Sequence, residues 1–372
     1  MTNAGDGRAG EVVPAPSRRR LAPRAAPDAV LVLRFSALGD VMLLAPALDA
    51  LHQAWPTTRI IVGLADAFAP VLTHDPAVAD LLPLTKGEGA IAYAGRLQQA
   101  LSAYHTVAIL DLHNSVRSVA LRALLPLRWP RSVWQKREFI ATVGVGLGLK
   151  TWRAERLHAD RYHLAVEALV GMTLPRGRFR AFADPDAIAQ CRALLAEAGH
   201  DPGRPLVGMA PGARWATKRW PAERFAAVAR EAIGAGCDVV VQGSADEAGL
   251  CAEVTALAGG SLNLSGRLDI AGLLGLMPLC AAFVANDSGP MHIARASGVP
   301  TVAIFGSTDP GSFVWEGHRA LSVALPCAPC SFYGRATCPE GHLRCLGDIA
   351  ADTVWDALRS LLLTGPAPRL GG

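Results

Sequence analysis

Three short polar stretches and one separate carboxylate hold the residues best suited to do chemistry in this 372-residue chain. PGARWATKRWP supplies Lys218 and Arg219, VVQGSADE supplies Glu247, and NDSGPMH supplies Asp287, Ser288, Gly289 and His292. Each stretch follows a short apolar run and precedes a helical pattern, so each reads as the turn from a strand into a helix. Such turns gather at the carboxyl ends of a parallel sheet, where ligands bind. A cation, an acid and a helix N-terminus on one rim suit a nucleotide diphosphate with a ribose. The ammonium and the helix dipole hold phosphate, and the glutamate accepts from ribose hydroxyls. Asp40, in RFSALGD, stands at the start of a helix in the first half of the chain. It reads either as a capping carboxylate favoured by the dipole or as a general base facing the crevice. His292, about one turn into its helix, is open to packing and capping roles as well as to ligand contact.

These residues need a scaffold, and the stretch FVANDSGPMHIARASGVPTVAIF shows its form. An apolar strand ends at Ala285, Asp287 or Ser288 caps the next helix, Pro290 suits its first turn, and a second apolar strand follows. Gly289 lets the backbone bend or approach a ligand. The first half repeats the theme, with a strand at 30–35, a small-residue loop at 36–39 and a helix over 40–53, then a strand at 59–63 and a helix over 65–73. Neither GxGxxG nor GxxxxGK[ST] occurs in that loop, so no classical dinucleotide fingerprint or Walker site is present. Asp111, His113 and Asn114 follow a strand at 106–111 and are candidate substrate contacts over the same crevice, with a plain polar loop as the other reading. Strands and helices alternate again from residue 205, after a Gly- and Pro-containing crossing at 171–203. The expectation is an α/β protein of two Rossmann-like domains facing across a cleft. Residues 1–28 form a leader, 29–185 the first domain, 186–348 the second, and 349–372 a closing helix and tail.

Composition narrows the function classes. Half the residues are apolar and the net charge is only +4, which gives no reason to expect a nucleic-acid partner. No apolar run reaches the ~20 residues that cross a bilayer. The leader carries Arg18–Arg20 but is broken by Pro23, Arg24 and Pro27 where a signal peptide would be apolar, so a disordered leader and a cytoplasmic location are expected. Residues 117–161 carry ten Lys/Arg against three Asp/Glu, with Trp129, Trp134 and Trp152 among them. This is a solvated basic face or a surface that meets an anionic acceptor or the inner membrane peripherally. Cys191, Cys237, Cys251 and Cys280 fall in helical or strand patterns as small hydrophobes. Cys327, Cys330, Cys338 and Cys345, spaced C-x2-C-x7-C-x6-C with His342 nearby, read as reduced thiols in a packed loop or as a structural metal site.

Together the quoted words resemble glycosyltransferase family 9, the ADP-heptose:lipopolysaccharide heptosyltransferases. RFSALGDVMLLAPALDAL, DLHNSVRS, PGARWATKRWP, VANDSGPMHIARASGVPTVAIFGSTDP and CAPC…CPEGH…C carry the likeness from Val30 to the last helix. The resemblance implies the GT-B fold, with a C-terminal helix that returns to the N-terminal domain. It implies an inverting, metal-independent transfer from ADP-heptose or a related sugar nucleotide to the lipopolysaccharide core, with no cofactor. Asp40 then resembles the catalytic carboxylate, Lys218 the phosphate lysine and Glu247 the ribose acid. Asp287, Ser288, Gly289 and His292 resemble the donor site, and Leu268 falls where a side chain covers adenine. The pattern departs at Ala213 and Arg214, where family members can carry hydroxyl residues that contact phosphate. A family 9 transferase with another donor or acceptor, and a sugar-nucleotide 2-epimerase of similar architecture, are the competing readings.

Overall fold

A computed structural model describes residues 24–133, 158–313 and 317–364. The leader, apart from residues 24–28, lies outside the described residues, as does most of the basic stretch with Trp134 and Trp152. The first domain contains β1 (Ala29–Leu33), β2 (Arg59–Ala65), β3 (Asp80–Leu84), β4 (Val107–Asp111) and β5 (Arg131–Val133), all parallel in the order β3-β2-β1-β4-β5. The second contains β6 (Leu206–Ala210), β7 (Asp238–Val241), β8 (Leu262–Asn263), β9 (Ala282–Asn286), β10 (Thr301–Ile304) and β11 (Arg319–Leu321). These are also all parallel, in the order β11-β10-β9-β6-β7-β8. Strands β1, β4, β6 and β9 are buried along their whole length. That burial follows from unbroken apolar runs covered by helices on both faces.

This order decides where chemistry is possible. In each sheet the chain winds outward from its first strand, then returns to that strand's other side. The reversal lies between β1 and β4 in one domain and between β6 and β9 in the other. Loops leaving adjacent strands in opposite directions open a crevice at such a point. The reversals therefore bring RFSALGD beside DLHNSVRS, and PGARWATKRWP beside NDSGPMH.

Three local expectations need correction. The single helix over 40–53 is two, Leu38–Met42 and Ala45–Ala54. Pro46 has no N–H to continue the first helix, and its ring would clash with the Met42 carbonyl. A helix expected over 65–73 is the 3-10 segment Asp66–Val71, which contains Pro70. Among the described residues the closing helix Ala351–Thr364 packs on the second domain, against the helix Ala222–Gly234 and strands β9 and β10, where a return to the first was expected. Its stripe Val354, Leu358 and Leu361 is buried in one apolar cluster with Phe225 and Val228 of the helix Ala222–Gly234. The Trp220 indole and Arg224 both donate to the Ile349 carbonyl and fix the entry of that helix.

The crossing between domains is made by residues 172–184. Arg178 N–H and the Arg180 guanidinium both bind the Asp49 carboxylate of the first domain, at 2.8 and 2.9 Å. Ala181 N–H then donates to the Ala296 carbonyl of the second. Asp184 caps the helix Pro185–Glu197, which packs on Ile270–Leu276 of the second domain. One apolar cluster includes Val30, Val41 and Leu48 together with Ile293 and Phe305, so the two domains share a core.

Candidate active site

The first domain contributes a carboxylate held from beneath. Arg34, 5% exposed, leaves β1 and donates to the Leu112 carbonyl at 2.8 Å, with Tyr162 below its guanidinium. From there it pairs with the Asp40 carboxylate. Asp40 also accepts the Ala37 N–H at 3.2 Å, so it caps its own five-residue helix and faces the crevice at once.

The second domain contributes a cation held in the same manner. Lys218 ends the 3-10 turn Ala216–Lys218, and its Nζ lies 2.6 Å from Asp287 Oδ2. Thr308 Oγ1 donates to that oxygen, also at 2.6 Å. Burial alone would raise the Asp287 carboxyl, but the ammonium and the hydroxyl hold it below its ordinary value. Asp287 therefore anchors the lysine, and its charge is met by the ammonium and the Thr308 hydroxyl. Ser288 is the N-cap residue of the helix Gly289–Ala296, yet its side chain makes no capping bond. The first N–H groups of that helix are thus not claimed by its cap.

The glycines at these corners serve contact between the domains. A Cβ on Gly289 would lie 2.5 Å from Leu38 Cδ2, and one on Gly39 would lie 2.8 Å from His292 Cδ2. The first helices of the two corners thus touch each other directly. His292 is packed at this contact, and burial pushes its pKa down to about 4. It is a neutral imidazole in the folded protein near neutral pH.

A cavity of about 390 Å³ lies against both corners, and Asp40, Lys218, Ser288 and His292 all line it. Leu268 lines a second hollow of about 520 Å³ with Ser244 and Asp269. Glu247 lines neither cavity but touches Ser244, which lines the Leu268 hollow, and Gly212 just after β6. Its Oε2 accepts from Ser244 N–H and Oγ at 2.9 and 3.1 Å, and a Cβ on Gly212 would sit 2.0 Å from its Oε1. It occupies the 3-10 turn Ala245–Glu247 just before the helix Ala248–Ala258.

Of the candidate substrate contacts after β4, Asp111 is enclosed in its own turn, while His113 and Asn114 are half-buried. Asp111 is fully buried: its Oδ1 accepts the N–H groups of His113 and Asn114, and its Oδ2 pairs with Arg122 at 2.9 Å. It is the staple of its own turn, because a carboxylate at this depth must be satisfied locally. His113 Nδ1 accepts the Phe35 N–H, which ties the turn to the Asp40 loop. Asn114 takes φ +45°, the left-handed conformation that asparagine tolerates at a tight turn.

The clustered cysteines are free thiols, with Cys327 Sγ 3.8 Å from His342 Nε2. Burial raises Cys330 and Cys345. At Cys338 burial pushes the same way, but the N–H groups of Leu343, Glu340, His342 and Gly341 together outweigh it and lower the thiol. Among the described residues, no group of three or more His, Cys, Asp or Glu is arranged to hold a metal ion.

The family model for glycosyltransferase family 9 (heptosyltransferase) matches residues 94–343. The chain belongs to glycosyltransferase family 9. It is 28% identical to lipopolysaccharide heptosyltransferase 2 of Salmonella typhimurium over 361 residues, which is 90% of this chain and 98% of that protein. Among solved structures, a family 9 glycosyltransferase from Veillonella parvula superposes with TM-score 0.77 at 22% identity, covering 92% of this chain and 99% of that one. The ADP-heptose lipopolysaccharide heptosyltransferase II of E. coli superposes with TM-score 0.69 at 23% identity, covering 91% and 99%. The two-domain GT-B fold of this transferase is thereby established.

Several members of the family 9 cleft lay outside the sequence reading. Arg34 sits inside an apolar strand pattern, and a charge there signals a buried partner. Asn286, fully buried, accepts Trp220 N–H at 3.1 Å and donates to the Pro211 carbonyl at 2.7 Å, joining the KRWP loop to β9. Thr308 stands in the quoted GSTDP stretch without a role read for it, while the loop residues Phe332 and Tyr333 carry no local motif and only the fold brings them here.

Proposed function

We propose that this family 9 transferase moves a heptose from ADP-heptose to the inner core of lipopolysaccharide with inversion at the anomeric carbon. The observation that carries the reading is one cavity lined by Asp40 from the first domain and by Lys218 and Ser288 from the second. An acceptor hydroxyl is a weak nucleophile until a base removes its proton. Asp40, oriented by Arg34 and the Ala37 N–H, takes that proton as the hydroxyl oxygen bonds to the anomeric carbon. The anomeric carbon–oxygen bond breaks through an oxocarbenium-like transition state, and ADP departs with the electron pair. Attack from the Asp40 side, opposite the diphosphate, inverts the configuration.

Charge develops on the leaving diphosphate, where Lys218 and the N-terminus of the helix Gly289–Ala296 stabilise it. Those two groups supply the positive field that a metal provides in other transferases, which supports a metal-independent reaction. Glu247 accepts from the ribose and Leu268 covers the adenine in its own hollow. No helix among the described residues is long and apolar enough to cross a membrane. Action at the cytoplasmic face of the inner membrane, on an acceptor presented from the lipid, fits that observation.

The test is an incubation with ADP-heptose and core-truncated lipopolysaccharide, following ADP release and the acceptor mass in the presence of a chelator. Acceptor-dependent ADP release with one added heptose is expected. A changed donor without acceptor would identify an epimerase, and loss of turnover with the chelator would remove metal independence.

A further inference from the structure

The cysteine-bearing segment does not stop at its thiols. Between Cys330 and Cys338 it projects into the cleft, where Phe332 and Tyr333 line the same cavity as Asp40 and Lys218. We propose that Phe332 and Tyr333 form the wall against which the acceptor glycan lies while its hydroxyl faces Asp40. This rests on the transfer reading given above and assigns that site a further pair of contacts.

The backbone that carries those rings is pinned on both sides. Cys330 and Ser331 N–H groups both donate to the Ser307 carbonyl at 3.0 Å. Thr217 Oγ1 accepts Arg335 N–H at 2.8 Å, while Thr217 N–H donates to the Arg335 carbonyl at 3.2 Å. The Ser331 hydroxyl accepts from Tyr333 and Gly334 N–H and closes the turn that carries the two aromatics. Gly334 takes φ +101°, and a Cβ there would lie 2.7 Å from the Trp215 side chain, so the turn presses against the phosphate-side loop. Thr217 directly precedes Lys218, and Ser307 directly precedes Thr308, which donates to Asp287. The aromatic wall and the lysine clamp are therefore parts of one hydrogen-bonded unit.

The chemistry of the wall selects its ligand. A sugar ring has apolar C–H faces and polar edges, and an aromatic ring matches the first while a phenol can hydrogen-bond the second. The diphosphate and adenine have their own places, at the lysine clamp and in the Leu268 hollow. Tyr333 is 52% exposed on a loop pinned through its backbone, and it lines the cavity that holds Asp40. A ring held half in water there gains its cover when the glycan arrives.

Tyr333→Ala, Tyr333→Phe and Phe332→Ala are tested by calorimetric binding of deacylated, core-truncated lipopolysaccharide oligosaccharide with ADP present, and by steady-state kinetics. Tyr333→Ala should weaken oligosaccharide binding and raise the acceptor KM about tenfold, Tyr333→Phe by less, since one lost ring contact and hydrogen bond is worth roughly that factor. ADP affinity, the donor KM and the unfolding midpoint should stay at wild-type values, which a merely structural role would not allow. Unchanged oligosaccharide binding in Tyr333→Ala, or a change confined to ADP and donor, overturns the wall. Absence of oligosaccharide binding by the wild type overturns it as well. Wild-type binding of oligosaccharide without turnover of ADP-heptose would instead remove the donor assignment and leave the wall standing.

Discussion

The two strand-turn-helix corners that face each other across the cleft are built alike and polarised in opposite senses. Each holds one aspartate paired with one cation. In the first domain the cation is buried, with the Arg34 side chain 6% exposed, while the Asp40 side chain is 23% exposed. In the second the carboxylate is the deeper partner, with Asp287 at 6% and Lys218 at 13%. An ion pair offers the cleft whichever member it leaves nearer to water. In the proposed transfer this makes Asp40 the base for a hydroxyl proton and Lys218 the cation for a diphosphate. The role of an aspartate here follows from depth and partner, since the residue type is the same.

The largest expected effect comes from removing the exposed acid. Asp40→Asn should lower turnover by roughly 10²–10⁴, the usual worth of a positioned base, with ADP affinity unchanged in calorimetry. Equal losses in turnover and ADP binding would put Asp40 in the donor site and dissolve the contrast. Lys218→Ala should cost ADP affinity and also leave the Asp287 charge buried without its ammonium, a loss of roughly 3–5 kcal/mol that a denaturant titration can measure. Asp287→Asn sharpens the comparison further. It should weaken ADP binding by roughly tenfold, through a displaced lysine, although no phosphate contact is removed. Arg34→Met should lower turnover less than Asp40→Asn, because the Ala37 N–H still orients the carboxylate.

The smallest expected effect is on acid stability. The His292 imidazole has a pKa of about 4 in the fold, while an unfolded histidine takes its proton near pH 6.5. Between these values the unfolded chain binds more protons, so stability falls as pH drops from about 6.5 to about 4 and levels off below. His318, lowered to about 4 by burial, contributes over the same window. His292→Gln should therefore show a smaller loss of unfolding midpoint between pH 7 and pH 5 than the wild type. An equal or larger loss would mean that the imidazole is already protonated at the domain contact.

Much of the fold was legible because its signals are local. Continuous apolar runs mark fully buried parallel strands, and the small-residue turns after them mark the crevice rim. Asp40 and Lys218 were legible as rim residues for the same reason. Asp111 misled because position at a strand end says nothing about depth, and its turn consumes both carboxylate oxygens. Gly289 read as a glycine for a bend or a ligand's approach, and no local pattern signalled its packing on Leu38, more than 200 residues earlier in the chain, while it also lines the cavity. The closing helix shows the same limit: its apolar stripe was plain, but the surface that receives it was not.

Taken by itself, the sequence determined the class of the chain, the alternation of strands and helices, and the polar turns that can carry phosphate and proton chemistry. Those features rest on contacts within a few residues, where side-chain type and spacing suffice. Only the tertiary structure decided which member of each ion pair meets the cleft, that Thr217 and Ser307 join the aromatic loop to the lysine clamp, and that the two domains touch through Gly39 and Gly289. Depth and partnership depend on packing between segments far apart in the chain, and no local pattern encodes them.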